Sequence, residues 1–358
     1  MWAGNYMPNL CARGSILQPI ESSAFAIGSH GITARAFLAP MAGITDLPVR
    51  RAASRFGAGL VISEMIASEW LACGDADAAL RAEGDGVGLH VVQLAGCEAK
   101  WLAEGARIAE AAGADVIDLN MGCPAKRVTA SQQAGAALLR DLDNAVRLIE
   151  ATVAAVRVPV TLKMRLGWDD QSIVAPELAQ RAEAAGVALI TVHGRTRAQF
   201  YDGRADWPAI ARVKAAVNIP VVANGDLATL DDAAAMRAQS GADAVMIGRA
   251  ARGRPWFVGQ VGRFLATGER AADPGVTAQR DLLLELYDGW LSQYGVVKGV
   301  REARKHLGWA LEAAAASLGR PLGWAKGWRA RLLGESEPRR VAQDIRDAYD
   351  ELAWSAAV

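Results

Sequence analysis

The sequence predicts an α/β protein: a (β/α)8 TIM barrel followed by a smaller all-α helical domain. Short β-branched runs alternate with alanine-rich runs along residues 25–267, and strands that alternate with helices form parallel sheets. The strands are apolar along their length, as expected where helices cover both faces of a sheet. An open doubly wound sheet is the alternative, but Ala39–Gly43 after the first strand is not a glycine-rich dinucleotide turn.

The alternating pattern contains eight strands, which is the number that closes such a barrel. We place them at Phe37–Pro40, Leu60–Glu64, His90–Leu94, Val116–Asn120, Val158–Met164, Leu189–His193, Pro220–Asn224 and Ala244–Gly248. The clearest helices between them are Ala99–Ala112, Asp141–Val156, Pro176–Ala185 and Leu230–Ser240. Gly113, Gly186 and Gly241 follow three of these helices, where glycine suits a C-terminal cap.

Length and composition agree with this organisation. The chain has 358 residues, 52% of them hydrophobic, which suits a barrel of about 250 residues plus an extra module. We divide it into an N-terminal tail (1–24), a catalytic barrel (25–267) and a helical domain (277–358), with a linker at Gly268–Gly275. Five of the eleven tryptophans lie in the last region: Trp290, Trp309, Trp324, Trp328 and Trp354.

Charge and cysteine content limit the cellular location and the partners that we expect. Lys plus Arg and Asp plus Glu both number 39, so a basic partner surface must be local. The spacings of Cys11, Cys73, Cys97 and Cys123 fit neither a zinc site nor a disulfide framework. The sequence shows no membrane-spanning run and no signal peptide. We therefore expect a cytoplasmic protein that acts as a monomer, without a metal and without a membrane partner.

Polar residues stand at the end of almost every predicted strand. In a (β/α)8 barrel the active site lies at these carboxyl ends, and a polar group in a dry barrel mouth needs a partner that a ligand can supply. The candidates, in chain order, are Pro40, Met41, Ala42, Gln93, Asn120, Cys123, Lys163, Arg165, His193, Asn224, Gly225, Asp226, Gly248 and Arg249.

Two of these groups indicate a ligand directly. Lys163 lies on an otherwise apolar strand, so we expect its amine to face the ligand. The turns at 224–226 and 248–249 follow strands seven and eight, a frequent phosphate site in barrels, and Arg249 supplies a bidentate cation. His193 could contact the same ligand, and Gln93 and Asn120 can each donate and accept at the edge of a ring.

Cys123 is the candidate for chemistry. It lies in the turn Asn120–Pro124 just after strand four, where the loop should present its thiol at the rim. A thiol of ordinary pKa is mostly protonated at pH 7 and can give a proton to a substrate carbon. We interpret Cys11, Cys73 and Cys97 as small buried hydrophobic residues, with Cys97 as the rival candidate because it lies near the barrel mouth.

Six motifs in order resemble the tRNA-dihydrouridine synthase family, most closely its bacterial B branch. They are Ala39–Asp46, Asn120–Pro124, Lys163–Arg165, Val192–Arg195, Asn224–Asp226 and Ile247–Arg249. The likeness covers about residues 25–330. It implies that FMN binds at the barrel mouth, that NADPH reduces it, and that the reduced flavin passes a hydride from N5 to C6 of a uridine in tRNA.

The resemblance also implies a role for each candidate. Cys123 would protonate C5 of the uracil, and Asn120 and Arg165 would face the base. The residues that would hold FMN are Pro40, Met41, Ala42, Gln93, Lys163, His193, Asn224, Gly225, Asp226, Gly248 and Arg249. The target base must leave its stack to reach the flavin.

The C-terminal region has the composition of an RNA-binding surface, the role that the resemblance gives to the helical domain. Residues 296–331 contain eight basic side chains and only two acidic ones. We expect Lys298, Arg301, Arg304 and Lys305 to contact tRNA phosphates. The tryptophans among them are interpreted first as the core of the helical domain.

Two other functions share part of this pattern. A dihydroorotate dehydrogenase-like barrel acting on a free pyrimidine would share the flavin, the lysine and the phosphate turns, but it needs no basic helical appendage. A non-catalytic RNA-binding or regulatory protein on a barrel scaffold would lack flavin.

Overall fold

A computed structural model of the chain describes residues 25–131 and 133–356, so the predicted tail at 1–24 and Cys11 lie outside the described residues. The described chain opens with a short antiparallel hairpin, β1 (Phe25–Ile27) and β2 (His30–Ile32). Sequence inspection missed this hairpin because three-residue strands carry too little periodicity. Ile27 and Ile32 pack with Phe37, Leu60 and Val91 in one buried cluster, so the hairpin seals the amino-terminal end of the barrel.

The central sheet is parallel and closes on itself. Its segments are β3 (Ala36–Leu38), β4 (Leu60–Val61), β5 (Ile66–Ala67), β6 (Val91–Ala95), β7 (Val116–Met121), β8 (Val160–Arg165), β9 (Leu189–His193), β10 (Val221–Asn224) and β11 (Ala244–Ile247). They are ordered β4-β3-β11-β10-β9-β8-β7-β6-β5. Ile62, just past β4, also pairs with Val91 of β6, which closes the ring.

The predicted second strand, Leu60–Glu64, needs correction. Its regular pairing ends at Val61, and the chain resumes pairing at β5. The break occurs where Ser63 turns aside: its N–H donates to the Val91 carbonyl at 3.0 Å and its hydroxyl accepts from the N–H of Gln93 at 2.8 Å. The two pieces together occupy one strand position, so nine segments form the eight-stranded barrel that the sequence predicts.

Helices surround the sheet. They are α1 (Leu47–Arg55), α2 (Ser68–Ala72), α3 (Ala76–Ala82), α4 (Ala99–Ala111), α5 (Leu142–Val153), α6 (Ala175–Ala184), α7 (Trp207–Ala216), α8 (Leu230–Ser240) and α9 (Trp256–Thr267). The chain leaves three of them through Gly113, Gly186 and Gly241, each at a positive φ, as the capping pattern predicts. A π-helical turn at Arg127–Ser131 and 3₁₀ turns at Gly135–Arg140 and Arg249–Ala251 complete the rim.

Four helices follow the segment 268–275, which contains neither helix nor strand. They are α10 (Val276–Tyr294), α11 (Val296–Ser317), α12 (Leu322–Gly334) and α13 (Pro338–Ala356). Leu283, Trp290 and Leu307 of this region belong to the same buried cluster as Leu38 and Val49 of the barrel. The barrel and the C-terminal helices thus share a continuous apolar contact. In the part of the chain that is described, no helix is long and apolar enough to span a bilayer.

Candidate active site

Alternation along the strands lines the barrel with an apolar floor and a polar upper layer. On β7, Val116, Asp118 and Asn120 share one face because side chains repeat every second residue. Val116 belongs to the buried cluster that the N-terminal hairpin seals. Asp118 and Asn120 lie above it, toward the carboxyl end. The ligand-binding chemistry therefore begins about one side-chain layer above the floor of the barrel.

The turn that carries Cys123 is held from two sides. The Asn120 side-chain oxygen accepts from the N–H of Gly122 at 3.2 Å and from the N–H of Cys123 at 3.0 Å. Arg165 donates its Nε–H to the Gly122 carbonyl at 2.9 Å. Cys123 itself is half-buried. These contacts fix the position of the thiol at the rim and leave it within reach of a ligand.

A buried hydrogen-bonded chain supports this turn from below. Asn120 donates to the Gln93 side-chain oxygen at 2.8 Å, and Gln93 donates to Asp118 at 2.6 Å. Thr161 donates to the other Asp118 oxygen at 2.6 Å. Burial raises the pKa of Asp118, while the bonds from Thr161 and Gln93 work against that rise. Asp118 was missed as a site residue, although its place two residues before Asn120 was a usable signal.

Gln93 and Asn120 therefore have structural partners that the sequence did not reveal. Gln93 is fully buried, and both its amide oxygen and its amide nitrogen are bonded to protein. The Asn120 oxygen holds two backbone N–H groups. Their direct contact with a flavin or a uracil stays a prediction, and their visible action is to position Cys123.

Lys163 lies in the barrel mouth with its amine nearly enclosed. It is 9% exposed, and its Nζ donates to the Asn224 side-chain oxygen at 3.2 Å. Asn224 in turn donates to the Met246 carbonyl at 2.8 Å, which sets its orientation. Burial, assisted by the nearby Arg165 charge, lowers the pKa of Lys163 to about 8. The amine can therefore hold or release a proton near neutral pH, which suits a residue beside a ligand ring.

The turns after β10 and β11 form a seat for an anion. In the described chain, the backbone N–H groups of Gly225, Asp226, Gly248 and Arg249 donate to no other residue. A side chain at Gly225 would meet Ala205 at 2.6 Å and His193 at 2.9 Å, and the residue has φ +122°, so glycine is required there. Unpaired N–H groups clustered beside a guanidinium match the geometry of a phosphate site.

Asp226 organises the cations of this seat. Its carboxylate accepts from Arg195 at 2.6 Å and 2.9 Å, from Arg249 at 3.0 Å and from the N–H of Ala205 at 2.8 Å. Although partial burial acts in the opposite direction, these bonds hold the pKa of Asp226 below its usual value. The carboxylate is thus committed to protein, and only the backbone N–H of Asp226 is available to a phosphate.

His193 stands between Lys163 and this seat. Burial, with the charges of Lys163 and Arg165, places the pKa of His193 well below its ordinary value. The imidazole is consequently neutral at pH 7, so one of its ring nitrogens can donate a hydrogen bond while the other accepts one. Tyr201, which is 46% exposed, lies 6.4 Å from the His193 ring and 5.2 Å beneath the Arg249 guanidinium, and no sequence pattern pointed to it.

Arg165 also has a structural role that the sequence did not indicate. It is 1% exposed, and its Nη1 donates to the carbonyls of Thr196 at 2.7 Å and Phe200 at 2.8 Å. Together with its bond to Gly122, it ties the cysteine turn to the loop after β9. Whether it also faces a uracil stays a prediction.

The first turn of the rim, at Pro40–Ala42, leaves space beside β11. Met41 donates its N–H to Thr45 at 2.8 Å, which folds the turn back on itself. A Cβ added at Gly248 would lie 3.8 Å from the Met41 sulfur and 3.9 Å from Ala39, which are ordinary contact distances. The expected cofactor contacts at Pro40, Met41 and Ala42 stay a prediction.

The basic residues of α11 are less available to RNA than their sequence suggests. Lys298 pairs with Asp77 at 2.9 Å, and Lys305 pairs with Glu302 at 2.5 Å. Lys305 also lies close to the buried carboxyls of Asp46 and Glu64, so it faces the barrel. Among the four predicted tRNA contacts, Arg301 is the exposed one: 68% of its side chain is accessible, and its Nε lies 3.9 Å from a Glu302 carboxylate oxygen. Arg304 is half-buried.

The remaining cysteines behave differently from one another. Cys73 is exposed, which corrects its interpretation as a buried hydrophobic residue, because it follows the short helix α2 on the outside of the barrel. Cys97 is half-buried, and burial raises its pKa, assisted by Glu98. Within the described residues, no group of three potential ligands could hold a metal ion.

Comparison with solved structures shows the same fold at low sequence identity. The old yellow enzyme homologue of Zymomonas mobilis aligns with a TM-score of 0.50 and 16% identity, over 71% of this chain and 94% of that one. Histamine dehydrogenase from Rhizobium sp. 4-9 aligns with a TM-score of 0.51 and 15% identity, over 74% of this chain and 50% of that one. Residues 37–322 match the family model described as dihydrouridine synthase. The barrel, its ligand-binding mouth and this match define a flavin-dependent oxidoreductase.

Curated relatives identify the family. A probable tRNA-dihydrouridine synthase of Rhodobacter capsulatus is 52% identical over 318 residues, which are 88% of this chain and 94% of that protein. A probable tRNA-dihydrouridine synthase of Rhizobium leguminosarum bv. phaseoli is 50% identical over 88% of this chain and 95% of its own length. The tRNA-dihydrouridine synthase B of Xanthomonas axonopodis pv. citri is 49% identical over 79% of this chain and 85% of its own. The chain belongs to the dihydrouridine synthase family.

Proposed function

We propose that this enzyme reduces the C5–C6 double bond of a uridine in tRNA to give 5,6-dihydrouridine, with FMN as its flavin and NADPH as its reductant. The observation that supports this most strongly is the position of the cysteine turn. Hydrogen bonds with Asn120 and Arg165 hold Cys123 at the barrel mouth, beside the enclosed amine of Lys163. The family match supplies the substrate class that fits this thiol.

The residues at the mouth suit FMN. The four unpaired N–H groups of the turns at 225–226 and 248–249, with Arg249, would take its phosphate. Lys163 would lie at the ring, where a cation stabilises the negative charge of a reduced flavin. Neutral His193 would bridge the ring region and the phosphate. When bound, the reduced flavin supplies the hydride for C6 of the uracil.

Cys123 acts as the proton donor in this proposal. Hydride addition at C6 places negative charge on C5 and the conjugated C4 carbonyl, so an acid must deliver a proton to C5. The S–H bond of Cys123 breaks, a C–H bond forms at C5, and the resulting thiolate lies near the positive charges of Lys163 and Arg165. These cations stabilise the thiolate that proton transfer leaves, and they thereby lower the cost of the step.

The partner and setting follow from the same assignment. The relatives are named for tRNA, and we extend that substrate to this chain, with the C-terminal helices as its binding surface. NADPH, a monomeric state and a cytoplasmic location belong to the proposal as well. Neither a free-pyrimidine reductase nor a non-catalytic RNA-binding protein is favoured by a feature of the site, and the family match supports neither.

Mapping of dihydrouridine in cellular tRNA tests the proposal. A strain that lacks this gene and any redundant enzyme should lose dihydrouridine at one or a few positions. Expression of the wild-type chain should restore those positions, whereas expression of Cys123→Ala should not. Unchanged dihydrouridine at every position of the deletion strain would refute the assignment.

A further inference from the structure

A second cavity opens on the catalytic rim next to the cysteine turn. It has a volume of about 290 Å³ and is formed by the starts of α2 and α4 and by the loop at 133–134. We call it the rim cavity. It lies at the carboxyl ends of β5 and β6, on the side of the barrel where active sites are found. Its size is near the lower limit of ligand pockets, about 300 Å³.

The rim cavity adjoins the proposed proton donor. Gln133 and Ala134 line it. The next residue is Gly135, where an added Cβ would lie 3.1 Å from the Cβ of Cys123. The N–H of Ala136 also bonds to the Cys123 carbonyl at 3.0 Å. A group held in the cavity would therefore be a near neighbour of the base presented to Cys123.

Two indole rings dominate its walls. Trp70 is 46% exposed, and the Arg127 guanidinium lies 5.9 Å from its ring centre. Trp101 carries the amine of Lys100 at 4.1 Å from its own ring centre. An exposed tryptophan beside a cation is the combination that single-stranded nucleic acids use for base stacking.

The polar side chains of the cavity have no partner among the described residues. Glu69 and Glu98 line it, both are exposed, and neither carboxylate has a hydrogen bond or ion pair within residues 25–131 and 133–356. Ser68 also lines it, and its buried hydroxyl has no partner among the described residues. Two carboxylates repel a phosphate but accept readily from the ring N–H and amino groups of a base.

We propose that the rim cavity binds a second, unstacked nucleobase of the tRNA, one that carries an amino group (guanine, adenine or cytosine), next to the uridine presented to Cys123. This inference rests on the proposed function, because it takes tRNA as the substrate. Trp70 supplies the stacking surface, and Glu69 and Glu98 supply the acceptors. The site thereby reads the sequence context of the target as well as the target itself.

Binding of unmodified tRNA to the flavin-loaded enzyme tests the inference. Trp70→Ala should weaken tRNA binding by about 5- to 150-fold, since stacking on an aromatic side chain contributes about 1–3 kcal/mol per base. Trp70→Phe keeps a ring and should recover most of the affinity. Gln239→Ala removes an exposed, uncharged side chain of α8, outside both the rim cavity and the C-terminal helices, and is the control that should bind as wild type does. The flavin content of each variant reports whether the barrel is intact.

A charge variant separates a base from a phosphate. Glu69→Gln with Glu98→Gln should weaken tRNA binding if the acids accept from a base, whereas tighter binding would mean that they repel a phosphate and would overturn the inference. Equal affinities for Trp70→Ala and Gln239→Ala would also overturn it. A higher KM for NADPH in Trp70→Ala with unchanged tRNA affinity would assign the cavity to the reductant instead.

The proposed function fails on a different result. If the wild-type, flavin-loaded enzyme forms no dihydrouridine in tRNA, the function itself is refuted. If the wild type forms dihydrouridine and Trp70→Ala binds tRNA normally, only the rim cavity assignment is refuted.

Discussion

At the scale of single residues, the position of Cys123, the proposed acid, depends on the fully buried carboxylate of Asp118. Asp118 receives hydrogen bonds from Gln93 and Thr161, and Gln93 receives one from Asn120, which holds the N–H of Cys123. Each hydrogen bond in this chain fixes the side chain above it, so the position of the Cys123 thiol depends on Asp118 through Gln93 and Asn120. Asp118 touches no expected reacting atom and is a positioning residue.

This chain of bonds predicts the effect of truncating Asp118. Asp118→Ala leaves the buried donors of Gln93 and Thr161 unpaired, so unfolding free energy should fall by about 1–3 kcal/mol for each. Turnover with saturating tRNA should fall as well, because Asn120 loses its support. Asp118→Asn keeps the shape and one acceptor and should recover much of both quantities. Urea denaturation and initial rates measure them, and full activity in Asp118→Ala would disprove the positioning role.

Single residues also mark the limit of sequence reasoning. Polar residues at strand ends were predictable because every parallel strand of a barrel delivers its carboxyl end to one rim. The backbone partners of Asn120 and Arg165 were not, because these bonds end on Gly122, Thr196 and Phe200 atoms that every residue type has. Such bonds depend on how loops fold, and side-chain identity does not encode them.

At the scale of elements, the eight predicted strands and the four predicted helices of the barrel lie within a few residues of their predicted bounds. Leu189–His193 and Leu230–Ser240 match their predicted bounds, because the strand is a short apolar run and the helix has clear caps at Thr229 and Gly241. The hairpin β1–β2 and the short strand β5 were missed, since two or three residues contain no readable period. The structure also changes the interpretation of α11, because the ion pairs of Lys298 and Lys305 make these two side chains less available to tRNA phosphates.

Arg301 is the predicted phosphate contact that α11 leaves most exposed, with 68% of its side chain accessible. Arg301→Glu should weaken tRNA binding and lower the slope of log affinity against log salt by about one, because one phosphate contact is lost. Arg212→Glu on the exposed surface of α7 makes the same charge change elsewhere and should leave the slope unchanged. Salt titrations of tRNA affinity measure both. Equal slopes for the two variants would remove Arg301 from the RNA surface.

At the scale of the whole molecule, the contact between the barrel and the C-terminal helices is tight but contains buried polar groups. A cavity of about 30 Å³, enough for one water, lies among Leu38, Gln279 and His306. The His306 Nε2 and the Gln279 side-chain oxygen are buried there without a partner in the described chain. His306 also stacks on Trp290 at 4.5 Å. This contact should therefore depend on His306 staying neutral.

The pH dependence of stability follows from that burial. Burial, with the charge of Lys305, lowers the pKa of His306 to about 3, while the unfolded chain titrates near 6.5. Below pH 6.5 the unfolded state takes up a proton that the folded state refuses, so stability is lost as the pH falls toward 3. Between pH 6.5 and pH 4 the loss from this group is on the order of 3 kcal/mol.

His306→Phe isolates this contribution, because phenylalanine keeps the stacked ring but cannot take up a proton. Wild type should lose on the order of 3 kcal/mol more unfolding free energy than the variant between pH 6.5 and pH 4. Urea unfolding at both pH values, at matched flavin content, measures the difference. Parallel pH profiles for the two proteins would show that His306 does not control the stability of this contact.

The central claim is that a flavin-loaded barrel with Cys123 as its acid reduces uridine in tRNA. The most direct measurement is single-turnover reduction of an unmodified tRNA transcript by purified enzyme and NADPH, with dihydrouridine quantified by mass spectrometry. Wild type should form dihydrouridine, and Cys123→Ala should retain flavin but react about 10²- to 10⁴-fold more slowly, while Cys97→Ala should react as wild type does. Wild-type rates in Cys123→Ala, or no dihydrouridine from the flavin-loaded wild type, would contradict the claim.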